Sequence, residues 1–105
     1  MQQRRPPEGG ITVNVLELLD KNEADLRSRH HVKKIGVFGS VARNEAAATS
    51  DVDILVEFEQ PVDFFEFIDL KEYLEKLLGR RVDLVTVKAL KPQLKEHILK
   101  EVVYA

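Results

Sequence analysis

The sequence predicts a small domain in which helices and strands alternate around one sheet, and three observations predict it. Three short apolar runs, Val32 to Phe38, Val52 to Phe58 and Val82 to Val87, have strand length and are rich in β-branched residues. Stretches with apolar residues at helical spacing flank and separate them, giving the order α-β-α-β-α-β-α. With 105 residues, 44% of them hydrophobic and 32% charged, the chain can bury one modest core. Such alternation normally marks a parallel, doubly wound sheet. The link from Gly39 to Asp51 is close to the shortest that carries a crossover helix, however, so parallel and mixed pairings both stand at this point.

Residues 1–11 read as a flexible N-terminal tail and 12–105 as the folded domain. The opening Met1-Gln2-Gln3-Arg4-Arg5-Pro6-Pro7-Glu8-Gly9-Gly10 lacks the apolar segment of a signal peptide, and Arg4-Arg5 reads as solvated charge. Thr12 to about Arg29 is helical. Asn14 with Glu17 forms a capping pattern, and Val13 with Leu18 has the spacing of a hydrophobic staple. Val15, Leu16, Leu18, Leu19 and Leu26 make the buried stripe, and Asn22 is where the run divides. His30 and His31 fall at the helix end, where a cation is favoured. No third ligand lies near them in sequence, so they do not read as a metal pair.

Ile35, Val37 and Phe38 supply the apolar positions of the first strand, with Lys33 and Lys34 at its entrance. Gly39-Ser40 ends it, and Val41 to about Ala47 is a short helical stretch containing Ala42, Ala46 and Ala47. Thr49-Ser50 turns into the second strand, which Pro61 stops. Asp63 and Glu66 then form a capping box, with Val62 and Phe67 as a staple. Phe64, Phe67, Ile68, Leu70, Leu74, Leu77 and Leu78 recur at helical spacing and are expected in the core, and Gly79 suits the residue after the helix. Pro92 suits the first turn of a last helix lined by Leu94, Ile98, Leu99 and Val102, with His97 on its surface.

Composition excludes several functions. A formal net charge of −2 gives no global attraction to nucleic acid or to an anionic membrane. Without cysteine there are no disulfides, thiolate metal sites or cysteine nucleophiles, which fits a reducing cytoplasm. No apolar run approaches the roughly 20 residues that span a bilayer.

Chemistry concentrates between Gly39 and Asp53 and at Asp83. Side chains alternate along a strand, so Asp51 and Asp53 point the same way. Asp83 stands near the start of an apolar strand, where a carboxylate needs a partner or a metal. Carboxylates in that pattern suit Mg²⁺, which takes a few acidic ligands plus substrate phosphates, and two such ions can clamp an in-line phosphoryl displacement. The structural alternative is that Asp51 caps a turn while Asp83 pairs with Arg80 or Arg81. Gly39 permits close backbone approach, and Ser40 offers a hydroxyl and an amide to an anion, or merely caps the helix. There is no Gly-Lys-Ser/Thr loop. Arg43 is placed to touch a triphosphate, or to bridge to Glu45 or an Asp.

Gly39-Ser40, ten intervening residues and Asp51-Val52-Asp53 resemble the signature of the DNA polymerase β-like nucleotidyltransferase superfamily. The runs Phe38-Gly39-Ser40-Val41-Ala42-Arg43, Ser50-Asp51-Val52-Asp53-Ile54-Leu55-Val56 and Arg81-Val82-Asp83-Leu84-Val85 look like its minimal, MntA-type branch. The resemblance implies an α+β fold, a small mixed sheet with helices mainly on one face, in place of the doubly wound sheet. It implies that Gly39 and Ser40 hold the β- and γ-phosphates of ATP. Asp51 and Asp53 would ligate two Mg²⁺ ions, and Asp83 would complete the catalytic metal site and help deprotonate the attacking hydroxyl. Proteins of this branch are typically antitoxins that transfer AMP to a tyrosine of a HEPN-domain ribonuclease toxin encoded by a neighbouring gene. Asn44 stands where Gly is usual and Val41 where a polar or aromatic residue is commoner. Neutralisation by occlusion without catalysis is the alternative, and transfer to a small molecule or an RNA end is another.

Overall fold

In the computed structural model residues 11–43 and 51–105 are described, with side chains from Asn14 onward. Helix α1 (Ile11–Lys21) and helix α2 (Glu23–His30) lead into strand β1 (Val32–Phe38). A four-residue α3 (Gly39–Ala42) follows, then β2 (Val52–Phe58), α4 (Phe64–Leu78) and β3 (Val82–Thr86). A 3₁₀ turn (Val87–Ala89), α5 (Pro92–Glu101) and the two-residue β4 (Val103–Tyr104) complete the chain.

The sheet has the order β3-β2-β1-β4 and is mixed. Strand β2 runs antiparallel to β1 and parallel to β3, while β4 is antiparallel to β1. The link after β1 returns the chain antiparallel beside it, whereas the 15-residue α4 carries it over to a parallel β3. The doubly wound alternative is thereby set aside, and the α+β expectation holds.

Helices α1, α2 and α4 pack on one another and on the sheet. Val15, Leu19 and Leu26 from the first two, with Leu70 and Leu74 from α4, meet Ile35, Val37, Ile54, Val56, Val82 and Leu84 in one core. Central β2 is apolar in consecutive positions because Ile54, Leu55 and Val56 are all buried, as expected of a strand covered on both faces. Gly36 lets β4 close on β1: a Cβ there would stand 2.6 Å from the Val103 carbonyl oxygen.

Several local expectations hold and several are corrected. The helical run does divide at Asn22, whose Nδ2 donates to Leu18 O at 2.8 Å and whose Oδ1 accepts from Tyr73 Oη–H at 3.2 Å. The Asp63–Glu66 capping box is complete. Asn14 caps nothing, because α1 already runs from Ile11. His30 packs at 4.9 Å against the Tyr73 ring, and burial lowers its pKa. Phe64 is 70% exposed rather than core. At 100° per residue it lies roughly 120° around α4 from Leu70, off the buried face. Leu94 and Leu99 are also exposed. Strand β3 stops at Thr86, whose hydroxyl accepts from Ala89 N–H and starts the 3₁₀ turn. Residues 44–50, including Asn44, Ala46 and Ser50, lie outside the described residues.

Candidate active site

Sheet register assembles the site. Phe38, the last residue of β1, is paired with Asp53 across the antiparallel ladder, and Asp53 is paired with Asp83 across the parallel one. Register partners project to the same face of a sheet, so Asp53 and Asp83 are neighbours with parallel side chains. Asp51, two residues upstream of Asp53 and immediately before the strand begins, is exposed, and its charge acts on Asp53.

Gly39 follows Phe38 and therefore sits against Asp53. Its φ is +70°, a left-handed conformation costly for residues with a Cβ. A Cβ there would also overlap Asp53 Oδ2 and stand 3.2 Å from Asp53 Cγ. The carboxylate thus occupies the space that the missing side chain leaves, which ties the Gly-Ser turn to the acids. Ser40 is half-buried within α3, and Arg43 ends that helix with its N–H on Gly39 O at 3.1 Å.

Electrostatics reflect the crowding of acids. Burial raises the Asp53 pKa above the usual carboxylate value, and the negative charges of Asp83, Asp51 and Glu101 push it the same way, with Arg43 opposing. An all-oxygen, acidic donor set with a deficit of positive charge is chemistry that fits a hard divalent cation. Among the described residues, however, no three acidic or histidine side chains stand closed around a point that could hold a metal ion. Register sets Asp53 and Asp83 side by side, with the charge of Asp51 also acting on Asp53.

Glu101, the last residue of α5, is a site residue that sequence reasoning missed. Its Oε2 accepts from Gly39 N–H at 3.2 Å, and its Oε1 pairs with Arg43 Nη1. Arg43 therefore bridges to Glu101, an acid not among those anticipated for it. One signal for Glu101 was present: it follows Leu94 and Ile98 at i+7 and i+3, on one face of the last helix, immediately before the buried Val102. The exposed aromatic pair Phe64–Phe65 begins the helix that follows the far end of β2.

A Gly-Ser turn locked against one strand acid, with a second acid in register beside it, is an arrangement whose chemistry suits a phosphate and a hard cation. The chain belongs to the nucleotidyltransferase domain family, whose model matches residues 19–105, and it is an enzyme of that class. It is 50% identical to the protein adenylyltransferase MntA of Thermococcus cleftensis over 95 residues, 90% of this chain and 96% of that one. A solved structure described as a minimal nucleotidyltransferase superposes with a TM-score of 0.75 at 38% identity, covering 93% of this chain and 98% of the other. A solved complex described as a tri-AMPylated Shewanella oneidensis HEPN toxin with an MNT antitoxin matches with a TM-score of 0.56 at 21% identity, covering 90% of this chain and 67% of that one. At that identity it speaks to the fold alone. Among the described residues no helix is long and apolar enough to cross a membrane.

Proposed function

We propose that this chain transfers AMP from ATP to a tyrosine hydroxyl of a HEPN-type ribonuclease toxin, and thereby acts as its antitoxin in the cytoplasm. The observation that carries the reading is the register that sets Asp53 between Gly39 and Asp83. In support, a relative at 50% identity bears the name of a protein adenylyltransferase.

Gly39 and Ser40 bind the β- and γ-phosphates through backbone amides and the hydroxyl, and Arg43 adds a cationic contact. Asp51, Asp53 and Asp83 are the residues to hold two Mg²⁺ ions. Bound there, those ions supply neutralisation of the triphosphate and polarisation of the α-phosphoryl group. Asp83 accepts the tyrosine proton as the phenolic oxygen bonds to the α-phosphorus. The bond from that phosphorus to the bridging oxygen breaks, and pyrophosphate leaves with the bond pair. Asp51, Asp83 and Arg43 are exposed, so the site is open to an acceptor carried by another protein.

Co-expression with the product of the neighbouring reading frame, followed by intact-mass measurement with and without ATP and Mg²⁺, tests this. The expected result is an AMP increment on the partner that disappears in the Asp51→Asn/Asp53→Asn double variant. An increment that survives the double variant would overturn the assigned site, and toxin suppression that survives it would favour occlusion.

A further inference from the structure

The contact between α5 and the Gly39 turn joins residues 62 apart in the chain, and the roles above leave it unexplained. Both of Glu101's partners, the Gly39 N–H and the Arg43 guanidinium, are donors that the proposed reading gives to the triphosphate. A carboxylate presents to them the same chemistry as a phosphate, an anionic oxygen accepting charge-assisted hydrogen bonds. One amide proton cannot serve both acceptors at full strength. The Glu101 side chain is only 15% exposed, so its charge needs partners in the nucleotide-free fold, and these two donors provide them.

We infer that Glu101 is a phosphate stand-in: its carboxylate holds the Gly39 amide and Arg43 while the site is free of nucleotide, and yields both when a triphosphate binds. This rests on the assignment of Gly39 and Arg43 to the triphosphate, and it gives a role to a residue outside that assignment. Two consequences follow. The turn is kept in its φ +70° conformation before ATP arrives, since the Gly39 N–H is already engaged. Nucleotide affinity is also held down, because the triphosphate must displace a carboxylate and meets one more negative charge beside the acids of β2 and β3. Release needs no movement of the sheet. Glu101 ends α5, while Val103 and Tyr104 stay paired with Val37 and Gly36, so rotation of the side chain suffices.

The test is calorimetric titration of ATP with Mg²⁺ into the wild-type protein and Glu101→Gln, with the Gly39 amide followed in ¹H–¹⁵N spectra. Loss of a partly exposed competing ion pair predicts binding about three- to tenfold tighter in the variant. The Gly39 resonance should differ between the two nucleotide-free proteins and coincide once both are saturated with ATP. Equal or weaker binding by Glu101→Gln, or a difference in the resonance that persists at saturation, would overturn the stand-in role. A wild-type protein that binds no ATP would instead overturn the nucleotide reading itself, and this inference with it. If the Gln variant fails to fold, Glu101→Asp, one methylene shorter, withdraws the carboxylate from Gly39 and should show the same tightening.

Discussion

Replacing Gly39 by Ala separates backbone strain from damage to the site, because a second glycine provides the control. Gly39 and Gly79 have nearly the same conformation, with φ of +70° and +65°. An alanine in that left-handed region costs roughly 1–2 kcal/mol. Each kcal/mol lowers the melting temperature of a domain near this size by about 4–8 °C. At Gly79 that is the whole effect, since nothing lies within 4 Å of the added Cβ. At Gly39 the new methyl overlaps Asp53 Oδ2 and comes within 3.4 Å of Asp53 Cβ, so the carboxylate must swing away. Displacing a reacting group by on the order of 1 Å costs about a hundredfold in rate. Gly79→Ala should therefore melt lower by that amount and Gly39→Ala by at least as much, while only Gly39→Ala loses about a hundredfold in AMP transfer, read as intact mass of the acceptor well below either melting point. Equal activity in the two variants would refute the claim that the glycine is reserved for the acid.

Other expectations are independent of that one. Asp83→Asn should lower AMP transfer by about 10²- to 10⁴-fold if it receives the acceptor proton, with no loss of melting temperature, since Asp83 is exposed and beside another acid. Leu74→Ala, at a fully buried position, should cost about 2–5 kcal/mol in urea unfolding. Glu75 accepts from Val82 N–H at 3.0 Å, and this bond, helped by Lys71, lowers its pKa from the usual 4.5. The sign follows from linkage: its contribution is present above 4.5 and is lost as pH falls through the lowered folded value. Glu75→Gln should therefore show a shallower fall of melting temperature below pH 4.5 than wild type does.

Much of the fold was legible because local signals and tertiary packing agree. Asn22 divides the first helical run, Asp63 and Glu66 box α4, and three Val- and Ile-rich runs become strands. Strand direction was not legible from periodicity, since pairing depends on how far a connection can reach. The resemblance to a known family supplied it instead. Phe64 was misread because spacing fixes a helical face only to within a residue or so, and its side chain falls off the face that buries Leu70 and Leu74. Strand β4 was invisible because two residues carry no period; it forms where Gly36 leaves room.

The site divides in the same manner. Spacing placed Asp51 and Asp53 on one face, and the mixed register then brought Asp83 alongside Asp53. Glu101 escaped because its partners are 58 and 62 residues away in the chain, and no local rule joins them. A carboxylate on the apolar stripe of a helix, before a buried valine, was the trace it left.

Binding of Mn²⁺ in the presence of a non-hydrolysable ATP analogue, followed by electron paramagnetic resonance, probes the shared acidic site most directly. The account predicts that wild-type protein takes up Mn²⁺ and that folded Asp53→Asn and Asp83→Asn variants each bind it at least about tenfold more weakly, having lost a hard oxygen ligand. Undiminished Mn²⁺ binding by either variant would contradict it.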